Sequence, residues 1–178
     1  MEQEKKLLNE DVAEDIDASE LIKVFQEAFN FKNEIKFLKT HDNAELPKYQ
    51  SDGASGFDFH TPEGFTIGSN ETKIIDTGLK LLCMPEDREI QIRSRSGMAA
   101  KKSVIVLNTP GTIDSDYRGQ IKIILRNFDN VEHRFEAGDR IAQGVLSPVL
   151  KSEISFGEIE NEIKTDRGEG GLGSTDKK

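Results

Sequence analysis

Between two apolar runs, residues 104–107 and 121–125, the chain reads Asn108-Thr-Pro-Gly-Thr-Ile-Asp114-Ser-Asp116-Tyr117-Arg118-Gly119. A hairpin connection needs Gly, Pro or Asn, but it does not need two carboxylates and a phenol. Asn108 offers both a donor and an acceptor to an amide-like edge. A carboxylate such as Asp114, held beside bound phosphates, accepts a proton from water. The plain alternative is an acidic, solvated hairpin with no ligand.

Two other clusters suit anions. Arg93-Ser-Arg95-Ser96-Gly97 follows a run of strand character and precedes Met98-Ala-Ala-Lys101-Lys102, a short helical stretch. A guanidinium, a hydroxyl and free N–H groups at a helix start can hold a phosphate, although an ordinary capped turn reads the same way. Near the end, Gly168-Glu-Gly170-Gly-Leu-Gly173 satisfies G-x-G-x-x-G. The dinucleotide fingerprint needs a βαβ unit around it, and the sequence stops five residues later, at Lys178. What survives is a glycine-rich run whose N–H groups can turn toward an anion, with Arg167 and Ser174 as further donors. A frayed, polar tail is the other reading.

The elements that must position these groups are short strands. Ile35 and Phe37 alternate with polar neighbours, as do Ile90 and Ile92, and Ile121, Ile123 and Leu125. Further runs are Lys73-Ile-Ile, Leu79-Lys-Leu-Leu, Val104-Ile-Val-Leu, Gly144-Val-Leu and Glu153-Ile-Ser-Phe. Turn signals such as Pro62-Glu-Gly, Pro85-Glu-Asp and Glu136-Ala-Gly-Asp separate them, and no helical period intervenes. That pattern predicts an all-β domain, a barrel or a jelly-roll sandwich. Ahead of it, Leu21, Ile22, Phe25, Ala28 and Phe29 fall on one helical face, which predicts a short amphipathic helix near residues 18–30. That helix either packs on its own domain or meets a protein partner. The expected organisation is an extension over 1–33, a β domain over 34–163 and an arm over 164–178.

Composition narrows the function classes. The 178 residues carry 24 Lys plus Arg against 33 Asp plus Glu, a formal charge of −9. A surplus of anions argues against a nucleic-acid binder. The single Cys83 excludes an internal disulfide framework and fits a reducing compartment. No apolar run approaches the ~20 residues of a membrane span, and the acidic, polar start has no signal-peptide core. The expectation is a cytoplasmic protein. His41, His60 and His133 have no metal-ligand spacing and read as solvated surface residues.

Five ordered segments resemble the motifs of the trimeric dUTPase family. Leu46-Pro-Lys-Tyr with Ser55-Gly-Phe-Asp58-Phe resembles the first, and Arg95-Ser96-Gly97-Met98-Ala99 the second. Gly111-Thr-Ile-Asp114-Ser-Asp116-Tyr117-Arg-Gly119 resembles the third, with Asn108 at its expected offset. Gly138-Asp-Arg140-Ile-Ala-Gln143 resembles the fourth, and Arg167-Gly-Glu-Gly-Gly-Leu172-Gly-Ser174-Thr175 the fifth.

The resemblance implies a jelly-roll-like β-barrel of the dUTPase-like β-clip type. It implies a homotrimer with each active site between subunits and the glycine-rich arm arriving from a neighbour. The substrate would be dUTP with Mg²⁺, cleaved to dUMP and pyrophosphate by water attacking the α-phosphorus. Such an activity limits uracil in DNA and supplies dUMP for dTTP synthesis. On this resemblance Asp114 orients and deprotonates the water, and Ser96 hydrogen-bonds the phosphate chain with Arg95 and Gly97 in support. Asn108 and the backbone near Thr112 and Ile113 read uracil, and Tyr117 packs under deoxyribose. Gln143 sits near the α-phosphate and its water, and Lys122 and Arg167 neutralise phosphates. Arg140 either does the same or serves structure. Gly171, Leu172, Gly173 and Ser174 belong to the closing arm. Magnesium is implied through substrate phosphates and waters, with Asp58 reaching it through a water and no dedicated protein cage.

The chain departs from the family pattern in places. Leu172 stands where an aromatic ring is usual, Lys102-Ser103 where His or Asn followed by Gly is usual, and Ser55 where Ala is usual. Two rival functions remain at this level. A dCTP deaminase shares the fold, but its third motif usually has Pro-Gly after the Ile-Asp pair, where this chain has Ser115-Asp116. A dUTP-responsive regulatory protein would use the N-terminal helix as its contact.

Overall fold

The computed structural model of the chain describes residues 34–157 and 163–170. The helix expected near residues 18–30 lies outside them, as do Gly171, Leu172, Gly173 and Ser174. Eleven strands follow one another: β1 (Lys36–Lys39), β2 (Lys48–Tyr49), β3 (Phe57–His60), β4 (Phe65–Ile67), β5 (Thr72–Cys83), β6 (Arg88–Arg93), β7 (Val104–Val106), β8 (Gly111–Ile113), β9 (Gln120–Asn127), β10 (His133–Phe135) and β11 (Arg140–Pro148). The helix among the described residues is α1 (Ser96–Lys102), between β6 and β7. It is too short to cross a membrane.

The strands pair antiparallel in three sheets: a four-stranded sheet ordered β1-β5-β9-β7, a five-stranded sheet ordered β2-β3-β11-β6-β8, and the β10-β4 pair. Among the described residues the sheets remain separate and do not close into a barrel. Alternation does what the sequence predicts on β9, where Ile121, Ile123 and Leu125 are buried and Lys122 is exposed, and on β6, where Ile90 and Ile92 are buried. These side chains join Phe57, Phe59, Leu79, Leu81, Val104, Val106 and Ile141 in one core drawn from both large sheets.

Four departures from the sequence expectation have local causes. The runs at Lys73 and Leu79 are one strand, β5, whose pairing with β9 shifts between Asp76 and Lys80. At that bulge Gly78 takes a left-handed φ of 69° and its N–H is capped by Asp76 Oδ1 at 2.8 Å. The segment between β7 and β9 is not a simple hairpin, because β8 leaves to pair with β6 in the other sheet. Glu153-Ile-Ser-Phe forms no strand, since no neighbour within the described residues pairs with it. The histidines are not uniformly solvated: the His133 side chain is 15% exposed against Asp129, and His60 is half-buried with Nδ1 enclosed and unpartnered.

Helix α1 ends on Ser103, whose φ of 51° and ψ of 26° are left-handed, with its N–H donating to Ala99 O at 3.2 Å. The turn usual to a glycine is therefore kept with a serine in it. A left-handed residue with a Cβ costs about 1–2 kcal/mol, part of which glycine loses again through its freer unfolded chain. Ser103→Gly is expected to raise Tm by about 2–3 °C in a thermal melt. A fall would mean that the serine side chain supports the cap.

Candidate active site

At the centre of the five-stranded sheet the register lays Lys48, Asp58, Gln143 and Arg93 in a row across β2, β3, β11 and β6. Residues in register share a face, and this one is opposite the core-facing Phe57, Phe59 and Ile92. Asp58 is only 8% exposed, and both its oxygens are engaged: Arg95 Nε donates to Oδ1 at 3.1 Å and Arg140 Nη1 to Oδ2 at 3.2 Å. Arg95 Nη1 also donates to the Arg140 carbonyl at 2.9 Å. One carboxylate thus locks two guanidiniums and leaves a net positive charge, which is stable because the buried charge is paired and hydrogen-bonded. Arg140, left open by the sequence between phosphate binding and structure, is built into this knot. Beside it a recess of about 270 Å³ is lined by Arg95, Gly97, Lys101, Lys102, Asp139 and Arg140, among others. Ser96 and Gly97 open α1 and are exposed, and a Cβ on Gly97 would meet nothing within 4 Å.

Gln143 is oriented by a residue the sequence did not single out. Its Nε2 donates to Ser94 O at 2.9 Å, while Ser94 Oγ accepts the Val106 N–H at 2.9 Å. Ser94 therefore ties the end of β6 to both β7 and β11. A lone serine in a turn carries no signal of that.

The acidic loop lies at the other end of β6. Ile113 pairs with Ile90, so Asp114, one step beyond the end of β8, lies four residues along β6 from Arg93, about 13 Å at strand rise. Asp114 lines a recess of about 550 Å³ with Glu86, Arg88, Asp116, Arg118 and Lys151, among others. The Asp114 recess and the Arg95 recess share no residue. Asp114 is exposed, and its carbonyl rather than its carboxylate holds the loop, accepting the Tyr117 N–H at 3.1 Å. The Tyr117 phenol donates to Gln120 O at 2.9 Å, which leaves the ring 40% exposed. Asn108 and Thr112 are exposed, whereas Ile113 is buried.

The remaining candidates are dispersed. Lys122 stands exposed on β9 opposite Asp76, lining neither recess. Arg167 belongs to an exposed turn, with its Nε donating to Gly170 O at 2.8 Å. Among the described residues no cluster of three His, Cys, Asp or Glu side chains is placed to hold a metal ion.

The family model for dUTPase matches residues 42–176. The deoxyuridine 5′-triphosphate nucleotidohydrolase of Helicobacter pylori is 47% identical over 141 residues, which cover 79% of this chain and 95% of the relative. That of Wolinella succinogenes is 49% identical over 146 residues, covering 82% and 96%. Among solved structures, the dUTPase of Staphylococcus bacteriophage 80alpha with dUPNHPP superimposes with a TM-score of 0.71 at 26% identity, over 80% of this chain and 98% of that one. A chain matched by the family model over most of its length, and by relatives along nearly the whole of theirs, belongs to the dUTPase family.

Proposed function

We propose that this protein hydrolyses dUTP to dUMP and pyrophosphate, in a trimer whose active sites each combine groups from different copies. The observation that carries this reading is the separation of the two half-sites on one chain. A base must lie within about 3 Å of the water it activates, yet Asp114 sits at the opposite end of β6 from the Arg95–Ser96 turn. The loop of one copy set against the knot of another removes the conflict. Surfaces suited to such contacts are present: Leu150, Ile154 and Phe156 stand fully exposed, and Ile74 is 63% exposed on the outer face of the four-stranded sheet.

In this mechanism Asn108 and the backbone at Thr112 and Ile113 take the uracil edge, and the Tyr117 ring packs against deoxyribose. Asp114 accepts the proton of a water whose oxygen attacks the α-phosphorus. The bond from that phosphorus to the bridging oxygen breaks, and pyrophosphate leaves. Ser96 and the backbone at Gly97 hold phosphate oxygens, while Arg95 supplies fixed positive charge. Gln143, oriented by Ser94, lies beside the reacting phosphate. Little covalent work falls to the protein; catalysis is positioning and charge stabilisation. Arg167, Gly171, Leu172, Gly173 and Ser174 close over the nucleotide from the 164–178 arm, and Lys122 adds charge at the phosphates. Each Asp58 oxygen keeps a further lone pair beyond its guanidinium bond, so it fits a water-mediated contact to Mg²⁺. When bound, Mg²⁺ would shield the triphosphate charge. The reading places the protein in the cytoplasm.

Purified protein offered each deoxynucleoside triphosphate with Mg²⁺ should release pyrophosphate from dUTP alone. Pyrophosphate from no nucleotide, with dUTP still bound, would favour a regulatory protein contacting its partner through residues 1–33. Ammonia from dCTP would favour a deaminase.

A further inference from the structure

Two glycines of the acidic loop occupy positions where their backbone does not demand glycine. Among the described residues the left-handed glycines are Gly78, Gly138 and Gly168, and neither Gly111 nor Gly119 is one of them. An alanine at either position is therefore compatible with the main chain. The obstacle at both is a side chain. A Cβ on Gly119 would lie 2.5 Å from Tyr117 Cζ, 2.9 Å from its Cε2, and against the phenol oxygen. A Cβ on Gly111 would lie 2.9 Å from Asn108 Nδ2. Contacts this close force one partner to move.

The two side chains are held differently: Tyr117 is restrained, whereas Asn108 is exposed and meets the added methyl with the tip of its amide. Tyr117 is held at its backbone, whose N–H donates to Asp114 O at 3.1 Å, and at the tip of its ring, whose phenol donates to Gln120 O at 2.9 Å. An added methyl cannot be accommodated by swinging the ring aside without breaking the phenol bond. Gly111 is fixed in turn by its pairing with Ile92 on β6. Asn108 lies over it across Pro110, so a methyl there lifts the amide and leaves the strand in place.

We propose that Gly111 and Gly119 are specificity-determining positioning residues: lacking a Cβ, Gly111 seats the Asn108 amide and Gly119 seats the Tyr117 ring. This rests on the reading in which Asn108 meets the base and Tyr117 meets the sugar. Gly119 then sets the height of the ring against C2′, and hence the space denied to a 2′-hydroxyl. Gly111 sets the plane in which the Asn108 donor and acceptor meet uracil. Both act on the choice of nucleotide and not on the proton transfer at Asp114.

The test is a double-mutant cycle read in selectivity. The ratio of kcat/KM for dUTP to that for UTP is measured for the parent, Gly119→Ala, Tyr117→Ala and the double variant, with thermal melts of all four. Gly119→Ala should lower the ratio by at least about three-fold, and the same alanine should change it by less than about two-fold once the ring is gone. Equal effects in both backgrounds, or an unchanged ratio in folded Gly119→Ala, would overturn the proposal. Should Gly119→Ala not fold by itself, a folded double variant supports the collision with the ring, and an unfolded one overturns it. A Tyr117→Ala protein with the parent's ratio would sink the sugar reading and this inference with it. A narrowed ratio in Tyr117→Ala without one in Gly119→Ala sinks only the inference. The parallel cycle of Gly111→Ala with Asn108→Ala, read as dUTP against dCTP, should show the same loss of effect when the amide is absent.

Discussion

Asp114→Asn is expected to lower turnover of dUTP by about 10²-fold or more, the range over which a positioned general base contributes. The substitution keeps size and shape and removes only the capacity to accept a proton. It should leave the loop intact, because the loop's hydrogen bond at this residue runs from the Tyr117 N–H to the backbone carbonyl. The buried Ile113 and its pairing with Ile90 hold the strand end independently of the carboxylate. Binding of a non-hydrolysable dUTP analogue should therefore stay within a few-fold of the parent while chemistry collapses. A loss confined to the chemical step is the signature of an interaction made only in the transition state. Turnover close to the parent's would remove Asp114 from the mechanism and direct attention to Asp116, which lines the same recess. Loss of binding together with turnover would make Asp114 a substrate anchor instead.

The candidate site stands out in the sequence where residue types occur that folding does not require. Two carboxylates and a phenol in the 108–119 loop, or Arg95-Ser96-Gly97 at a helix start, stand out because a turn or a cap does not demand them. The strands were legible where one face is buried and the other wet, as on β6 and β9. Where that asymmetry is missing, the pattern fails. On β3 the sequence Phe57-Asp-Phe-His alternates but the burial does not: Asp58 is covered on the face opposite Phe57 and Phe59, and its charge is tolerated only through Arg95 and Arg140. Those partners lie 37 and 82 residues away, a separation no local spacing encodes. The β5 strand read as two runs because Asp76-Thr-Gly78 looks like a turn, and its left-handed glycine makes a bulge instead. Glu153-Ile-Ser-Phe carries strand alternation without a strand partner among the described residues. That mismatch between local propensity and observed structure is what a segment built to pack on another copy would show.

Ending the chain after Lys164 is expected to cost about 10²-fold in kcat/KM while leaving the β domain folded. Stability should hold because the described part of the arm contributes nothing to the core. Its hydrogen bonds run Gly168 N–H to Thr165, Gly170 N–H to Arg167 O and Arg167 Nε to Gly170 O, all internal to one exposed turn. Changes confined to such an exposed segment usually move stability by no more than about 0.5 kcal/mol, so Tm should shift by only about 1–2 °C. Activity should fall because the truncation removes the Arg167 guanidinium and a run of glycine N–H donors, whose value is greatest once the nucleotide is enclosed and water is displaced. The loss should appear in kcat as well as KM, since charge developing on the departing pyrophosphate is where added donors differ between ground and transition states. Steady-state kinetics, a thermal melt and the mass of the assembly in solution together separate the outcomes. Full activity in the truncated protein would return the arm to a frayed polar tail. A protein that melts early or dissociates would make it a structural strap, with the phosphate side of the site resting on Arg95, Ser96, Gly97, Lys122 and Gln143.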